Sequence, residues 1–161
     1  MAIEIRKANT SDAKAAWDIR TKAILHQCVG HYSDDSLQTW TKGEPTEHFA
    51  RAVANHWHVA ITEETIVGTG AIDIVKGHLD AIFVHPDMMG RRIGTQMMNY
   101  LEQIARDFKI AKLTLDSTLN AAPFYRHLGF VGDQFSTYES PRGISLACIP
   151  MQKLILPASA A

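Results

Sequence analysis

The segment Val84-His85-Pro86-Asp87-Met88-Met89-Gly90-Arg91-Arg92-Ile93-Gly94-Thr95 brings two arginines and two glycines to the start of a long amphipathic pattern. A helix start leaves four backbone N–H groups unpaired, and the helix dipole adds partial positive charge there. Such starts usually carry Ser, Thr, Asp or Asn as a cap. Here two cations stand at the start and no acid follows until Glu102. That arrangement is locally unfavourable unless an external anion completes it, and Gly90 and Gly94 let backbone amides approach one closely. Phosphate binding is the chemistry indicated; the plain alternative is a solvated arginine pair after an ordinary turn. Neither G-x-x-x-x-G-K-[ST] nor G-x-G-x-x-G is present, which argues against a nucleotide P-loop and a dinucleotide fold.

A second segment, Asp116-Ser117-Thr118-Leu119-Asn120-Ala121-Ala122-Pro123-Phe124-Tyr125-Arg126-His127-Leu128-Gly129-Phe130, reads as a strand end followed by a short helix. A tyrosine at its centre can pack on one side and present a phenol on the other, or simply pack. His56-x-His58, His78 and His85 show no recognisable third-ligand spacing, so no metal is expected. Cys28 and Cys148 form neither a disulfide framework nor a metal knuckle and read as buried thiols.

Periodicity supplies the elements that must hold these segments. Ile3 to Lys7 alternates as a strand, and an apolar stripe through Ala13, Ala16, Trp17, Ala23 and Ile24 predicts a helix ending near Gly30. Short helices are expected over Asp34–Trp40 and Thr46–Asn55, then strands over Trp57–Thr62, Thr65–Val75 and Gly77–His85. Gly68 and Gly70 weaken the second of these strands and signal a close backbone approach. The helix over Arg92–Phe108 is the clearest, with Ile93, Met97, Met98, Leu101, Ile104, Ala105 and Phe108 on one face and Asn99, Glu102, Gln103 and Arg106 on the other. A strand over Ala111–Asp116, a helix over Ala121–Leu128 and a hairpin of Phe130–Tyr138 with Ile144–Lys153 complete the order. No repeat or linker interrupts it, so one α+β domain over residues 1–161 is expected, its core about 2–155 and its C-terminal tail frayed.

With Lys+Arg 16 against Asp+Glu 17 the net charge is −1, which removes the case for general nucleic-acid or anionic-membrane binding. The charged start MAIEIRKANT is unlike a signal peptide, and no apolar run nears the ~20 residues that span a bilayer. A cytoplasmic location is the default expectation.

Together the two segments resemble the GNAT superfamily of acyl-CoA N-acyltransferases. The likeness lies in the strand ending Ile82-Phe83-Val84-His85-Pro86, the glycine–arginine turn with its long helix, and the late Phe124-Tyr125…Gly129-Phe130. It implies a mixed, splayed, mostly antiparallel central sheet flanked by helices, with acetyl-CoA as co-substrate wedged between Phe83-Val84 and Leu113–Leu115. Amides at Phe83 and Val84 would orient the thioester arm, and those of Met89, Gly90, Arg91, Arg92, Ile93, Gly94 and Thr95 would hold the pyrophosphate. Asn120 and Phe124 would complete that side, and Tyr125 would protonate the departing thiolate. Arg92 stands where the family has glycine, Thr118 where it often has asparagine, and Leu113 where some members carry a glutamate base.

Direct attack by an amine needs a base, for which Asp80 is the first candidate. His78 follows, on the same face by two-residue periodicity, and Asp73 is third. His31, Tyr32 and Trp40 lie in the segment that lines the acceptor site in the family, where Asp34 and Asp35 would attract a cationic amine. The implied acceptor is a small-molecule or peptide amine. Homodimers are common in the family. A degenerate acyl-CoA-binding module with a regulatory role is the competing expectation.

Overall fold

The computed structural model describes residues 2–155, the Ala81 side chain excepted; the expected frayed tail from Ala158 lies outside them. Seven strands form one sheet in the order β1-β2-β3-β4-β5-β7-β6. They are β1 (Glu4–Lys7), β2 (Trp57–Thr62), β3 (Thr65–Asp73), β4 (His78–Val84), β5 (Lys112–Ser117), β6 (Ser136–Glu139) and β7 (Ser145–Leu154). Every neighbouring pair is antiparallel except β4 and β5. Those two run parallel and pair only at His78↔Thr114 and Leu79↔Leu115, after which the sheet is open. The gap therefore starts past Leu115 and is flanked by Asp116 and Ser117. This corrects the expectation of a wedge at Leu113–Leu115, where β5 is still held.

Helices α1 (Ala13–Gln27), α2 (Asp34–Thr41) and α3 (Glu47–His56) precede the sheet centre, α4 (Ile93–Asp107) joins β4 to β5, and α5 (Ala122–His127) follows β5. The first helix stops three residues before Gly30, with Cys28 as its cap. Ser33 and Thr46 cap α2 and α3 by accepting from the backbone N–H of Ser36 and Phe49. Leu79 and Leu115 pack with Ile93, Met97, Met98 and Leu101 of α4 and with Tyr125 and Phe130. Val59 and Ala71, on the opposite face, pack with Ala16 of α1 and Val53 of α3. The two glycines of β3 let α4 settle on the sheet: a Cβ on Gly70 would lie 2.6 Å from Met97 Cγ, and one on Gly68 3.1 Å from Ile93 Cγ2.

Three local departures from simple periodicity matter. In β4 the register slips, with Ala71↔Ala81 but Ile72↔Leu79, so Asp80 is an extra, bulged residue. Leu79, Ile82 and Val84 all pack toward α4 while Phe83 packs toward α1 and α2, a spacing that strict alternation cannot produce. Second, the strand expected over Phe130–Tyr138 is confined to Ser136–Glu139, because Gly132 takes φ 153° against the β7 backbone and only Val131 bridges to Gln152. Third, Glu102, expected on the solvated face of α4, is 5% exposed, since Lys153 of β7 reaches over to it at 2.7 Å.

Candidate active site

After β4, a 3-10 turn over Pro86–Met88 is closed by His85, whose Nδ1 accepts from Asp87 N–H. Gly90 then takes φ 80° with nothing within 4 Å of where a Cβ would be. Arg92 follows with φ 64° and ψ 20°, a left-handed residue at the N-cap of α4 whose side chain caps nothing. For a residue with a Cβ this conformation costs about 1–2 kcal/mol. The chain thus adopts at Arg92 the backbone form that glycine takes without strain, leaving the N–H groups of Ile93, Gly94 and Thr95 in the uncapped first turn. Gly94 sits where its Cβ would press on Phe124 Cζ at 3.1 Å, so Phe124 forms a wall beside this helix start. Met89 is tied to α1 by Gln27 Nε2, 3.4 Å from its sulfur. Arg91, Gly90 and Arg92 occupy the same turn.

Tyr125 lies at the closed side of the gap. Its ring is buried edge-on against Phe124 and Phe130. Burial pushes the phenol up to about 12, with the Ile82 amide of β4 pulling the other way. The phenol is therefore protonated throughout the neutral range. Phe83 and Val84 continue β4 past it, along the unpaired edge.

The other side of the gap is open and charged. Bulged Asp80 is exposed, yet the surrounding protein desolvates its carboxyl and raises it above its ordinary value, with His78 and His56 pulling the other way. Bulges commonly re-aim side chains next to active sites. His78 holds Thr114 Oγ1 at 2.8 Å through Nδ1 and stands 4.0 Å from Asp116 Oδ2 through Nε2. Both line a groove of about 740 Å³ together with Gln134, Phe135 and Gln152. Asp73 is differently engaged: its carboxylate accepts the N–H groups of Val75 and Lys76 at 2.9 and 3.1 Å, ending β3 in a turn and lowering its pKa.

Tyr32 spends its hydroxyl on structure, donating to Ala147 O at 2.6 Å and accepting from Leu119 N–H at 3.1 Å. Trp40 packs edge-on against Tyr32 and gives its carbonyl to Arg20 at 2.8 Å. His31, Asp34 and Asp35 are exposed at the start of α2. Asn120 Oδ1 accepts from Cys28 Sγ at 3.3 Å. Three residues not expected from the sequence join the open side: Asp116, Tyr138 and Arg20. Tyr138 feels the charges of Asp80, Arg20 and Asp116 together. Asp116 had a signal, the same face as His78 across a predicted strand pair; Arg20 and Tyr138 had none.

Among the described residues no helix is long and apolar enough to cross a membrane. A model of the acetyltransferase (GNAT) domain matches residues 28–155. The uncharacterized N-acetyltransferase YafP of Escherichia coli strain K12 is 23% identical over 128 residues, covering 80% of this chain and 81% of that protein. Among solved structures, a GCN5-related N-acetyltransferase from Rhodopseudomonas palustris superposes with TM-score 0.88 at 28% identity, covering 96% of each chain. The PaiA N-acetyltransferase of Thermoplasma acidophilum, in complex with coenzyme A, superposes with TM-score 0.71 at 18% identity, over 96% of this chain and 99% of that one. The parted parallel strands and the uncapped helix beside them thus sit in a sheet shared with those proteins, and the chain belongs to the GNAT acetyltransferase family.

Proposed function

We propose that this protein is an N-acetyltransferase that moves an acetyl group from acetyl-CoA to a primary amine by direct attack. The observation that carries the reading is the gap after Leu79 and Leu115, with a protonated phenol on one side and a desolvated carboxylate on the other. The uncapped start of α4 supplies N–H donors and the Arg92 charge for a pyrophosphate, with space above Gly90. The PaiA relative, which is in complex with coenzyme A, supports the same assignment.

Acetyl-CoA supplies a thioester; the residues supply proton management. Asp80, directly or through water, takes the proton that the attacking amine must lose, with His78 and Asp116 beside it. Tyr125 offers its O–H to the departing sulfur and passes the proton as the C–S bond breaks, then regains one from solvent. The amine forms the new C–N bond, CoA leaves as the thiol, and no acyl-enzyme is needed. Phe83 and Val84 present an unpaired strand edge to the arm of the co-substrate.

Arg92 in the glycine position raises the alternative of a degenerate acyl-CoA-binding module. The left-handed geometry kept at that residue favours the working site. Calorimetry with acetyl-CoA, followed by release of free CoA across an amine panel, separates the two. Binding with turnover is expected; binding without turnover across a broad panel selects the module, and absence of binding removes both.

A further inference from the structure

Helix α1 runs alongside β4 in the same direction. Gln27 meets Met89 beyond the strand end, and Ile24 clusters with Phe83. One turn earlier on that face, about 5.4 Å back along the helix, stands Arg20. That distance is about 1.6 strand residues, which puts Arg20 level with the backbone at Ala81 and Ile82, next to the bulge at Asp80.

Among the described residues Arg20 has no ion-pairing carboxylate. Its guanidinium lies over the Trp17 ring, 4.6 Å from the centroid, and Nη2 donates to Trp40 O. Arg142, from the β6–β7 turn, lies 5.6 Å from the same centroid and donates to the carbonyls of Thr39 and Lys42. These bonds explain one end of each guanidinium: they satisfy carbonyls at the C-terminal end of α2. They leave Arg20 Nη1, which is buried and has no hydrogen-bond partner among the described residues. Neither arginine has a carboxylate within ion-pairing distance among those residues. Burial and the Arg142 charge lower Arg20 to about 10. Buried charges are ordinarily paired.

Resting on the acetyl-transfer reading above, we infer that Arg20 is a specificity residue for the acceptor, which is a small amine bearing a carboxylate. The carboxylate enters between the Arg20 and Arg142 guanidinium groups, with exposed Arg142 moving to admit it, and pairs with Nη1. The amine end then lies toward Asp80. Tyr138 feels the charges of Arg20, Asp80 and Asp116 alike, so both ends share one electrostatic neighbourhood.

The test uses the full chain, acetyl-CoA, and the free amino acids matched against their α-carboxamides. Free-CoA release gives kcat/KM, and tryptophan fluorescence of the CoA-loaded protein gives binding, since Trp17 lies under both guanidinium groups. The parent is expected to favour the best carboxylate over its amide by about tenfold or more, the range of a charge-assisted contact. Arg20→Gln should erase that ratio while leaving acetyl-CoA affinity unchanged. Arg20→Lys keeps the charge without the fork, and an intermediate ratio is expected, which serves if the glutamine variant misfolds. A parent ratio near one, or a ratio that survives in Arg20→Gln, overturns the inference while acetyl transfer stands. Carboxylate-selective binding that Arg20→Gln abolishes, with no turnover, upholds the anion subsite and overturns acetyl transfer instead.

Discussion

The two sides of the gap between β4 and β5 are built by opposite means. Toward α4 the site is apolar and shut: Tyr125 is buried among Phe124, Phe130 and the α4 side chains, and burial outweighs the Ile82 amide in holding its proton. Toward α1 and β6 it is open and charged, with Asp80, Asp116 and Tyr138 exposed and His78 and Arg20 half-buried. The bulge at Asp80 is the boundary, because one inserted residue turns Leu79 and Ile82 to the closed side while keeping Asp80 on the other. The contrast teaches that the proposed proton donor is held rigidly by packing, whereas the proposed proton acceptor is tuned by neighbours that water and substrate can reach.

The largest effect should come from the closed side. Tyr125→Phe keeps the packed ring and removes the hydroxyl proton proposed for the leaving thiolate, so kcat should fall at least about 10²-fold. Affinity for acetyl-CoA by calorimetry should be unchanged. An unaltered kcat would end the acid role of Tyr125 and with it the functional meaning of the closed side.

Asp80→Asn should cost less, roughly 10- to 10²-fold in kcat/KM, since water in an open groove can accept a proton in its place. Its pH profile is the sharper probe. A base acts when deprotonated, and the folded value is raised, so the acid limb of kcat/KM should lie above the ordinary aspartate range near 3.9. The asparagine variant should lose that limb. A limb that persists unchanged in the variant assigns the base to another group.

These two sides were not equally legible in the sequence. The closed side could be read because its cues are local: the α4 stripe, the two glycines of β3 and the Phe124-Tyr125 pair each lie within one element. The open side is assembled from chain positions far apart. Trp17, Arg20, Trp40 and Arg142 meet only after folding, and a lone arginine on α1 reads as a solvated charge. The bulge was invisible for another reason: alternation of side chains predicts faces only while register is kept, and Asp80 is where it slips. Likewise Gly132, an inconspicuous residue, breaks the strand predicted from Phe130 because its conformation and contact with β7 are set by tertiary approach. Glu102 looked solvated for want of Lys153, which lies 51 residues on.

Packing tolerance offers a third way to test the contrast. Gly70→Ala would set a methyl group 2.6 Å from Met97 Cγ and 3.0 Å from Leu101 Cδ1, and overpacking of this kind costs about 1–3 kcal/mol. Ser136→Ala, on the exposed strand beside the groove, should stay within about 0.5 kcal/mol of the parent. Urea denaturation of both variants measures the difference. Equal stabilities would mean that α4 is not seated on β3 as tightly as the closed side requires.

The smallest effect, and the most discriminating, concerns Arg92. Its left-handed conformation costs about 1–2 kcal/mol, and glycine there would remove that cost while losing about 0.5–1 kcal/mol through the greater freedom of the unfolded chain. Arg92→Gly should therefore raise stability by up to about 1.5 kcal/mol in denaturant titrations without ligand. Affinity for CoA should move the other way, because the variant keeps the uncapped amides but loses the charge beside them. A gain in stability with a loss in affinity would show that strain is held at this turn for the sake of the anion. A loss of stability with affinity intact would make Arg92 a structural residue, and the start of α4 would then have to bind pyrophosphate with its backbone alone.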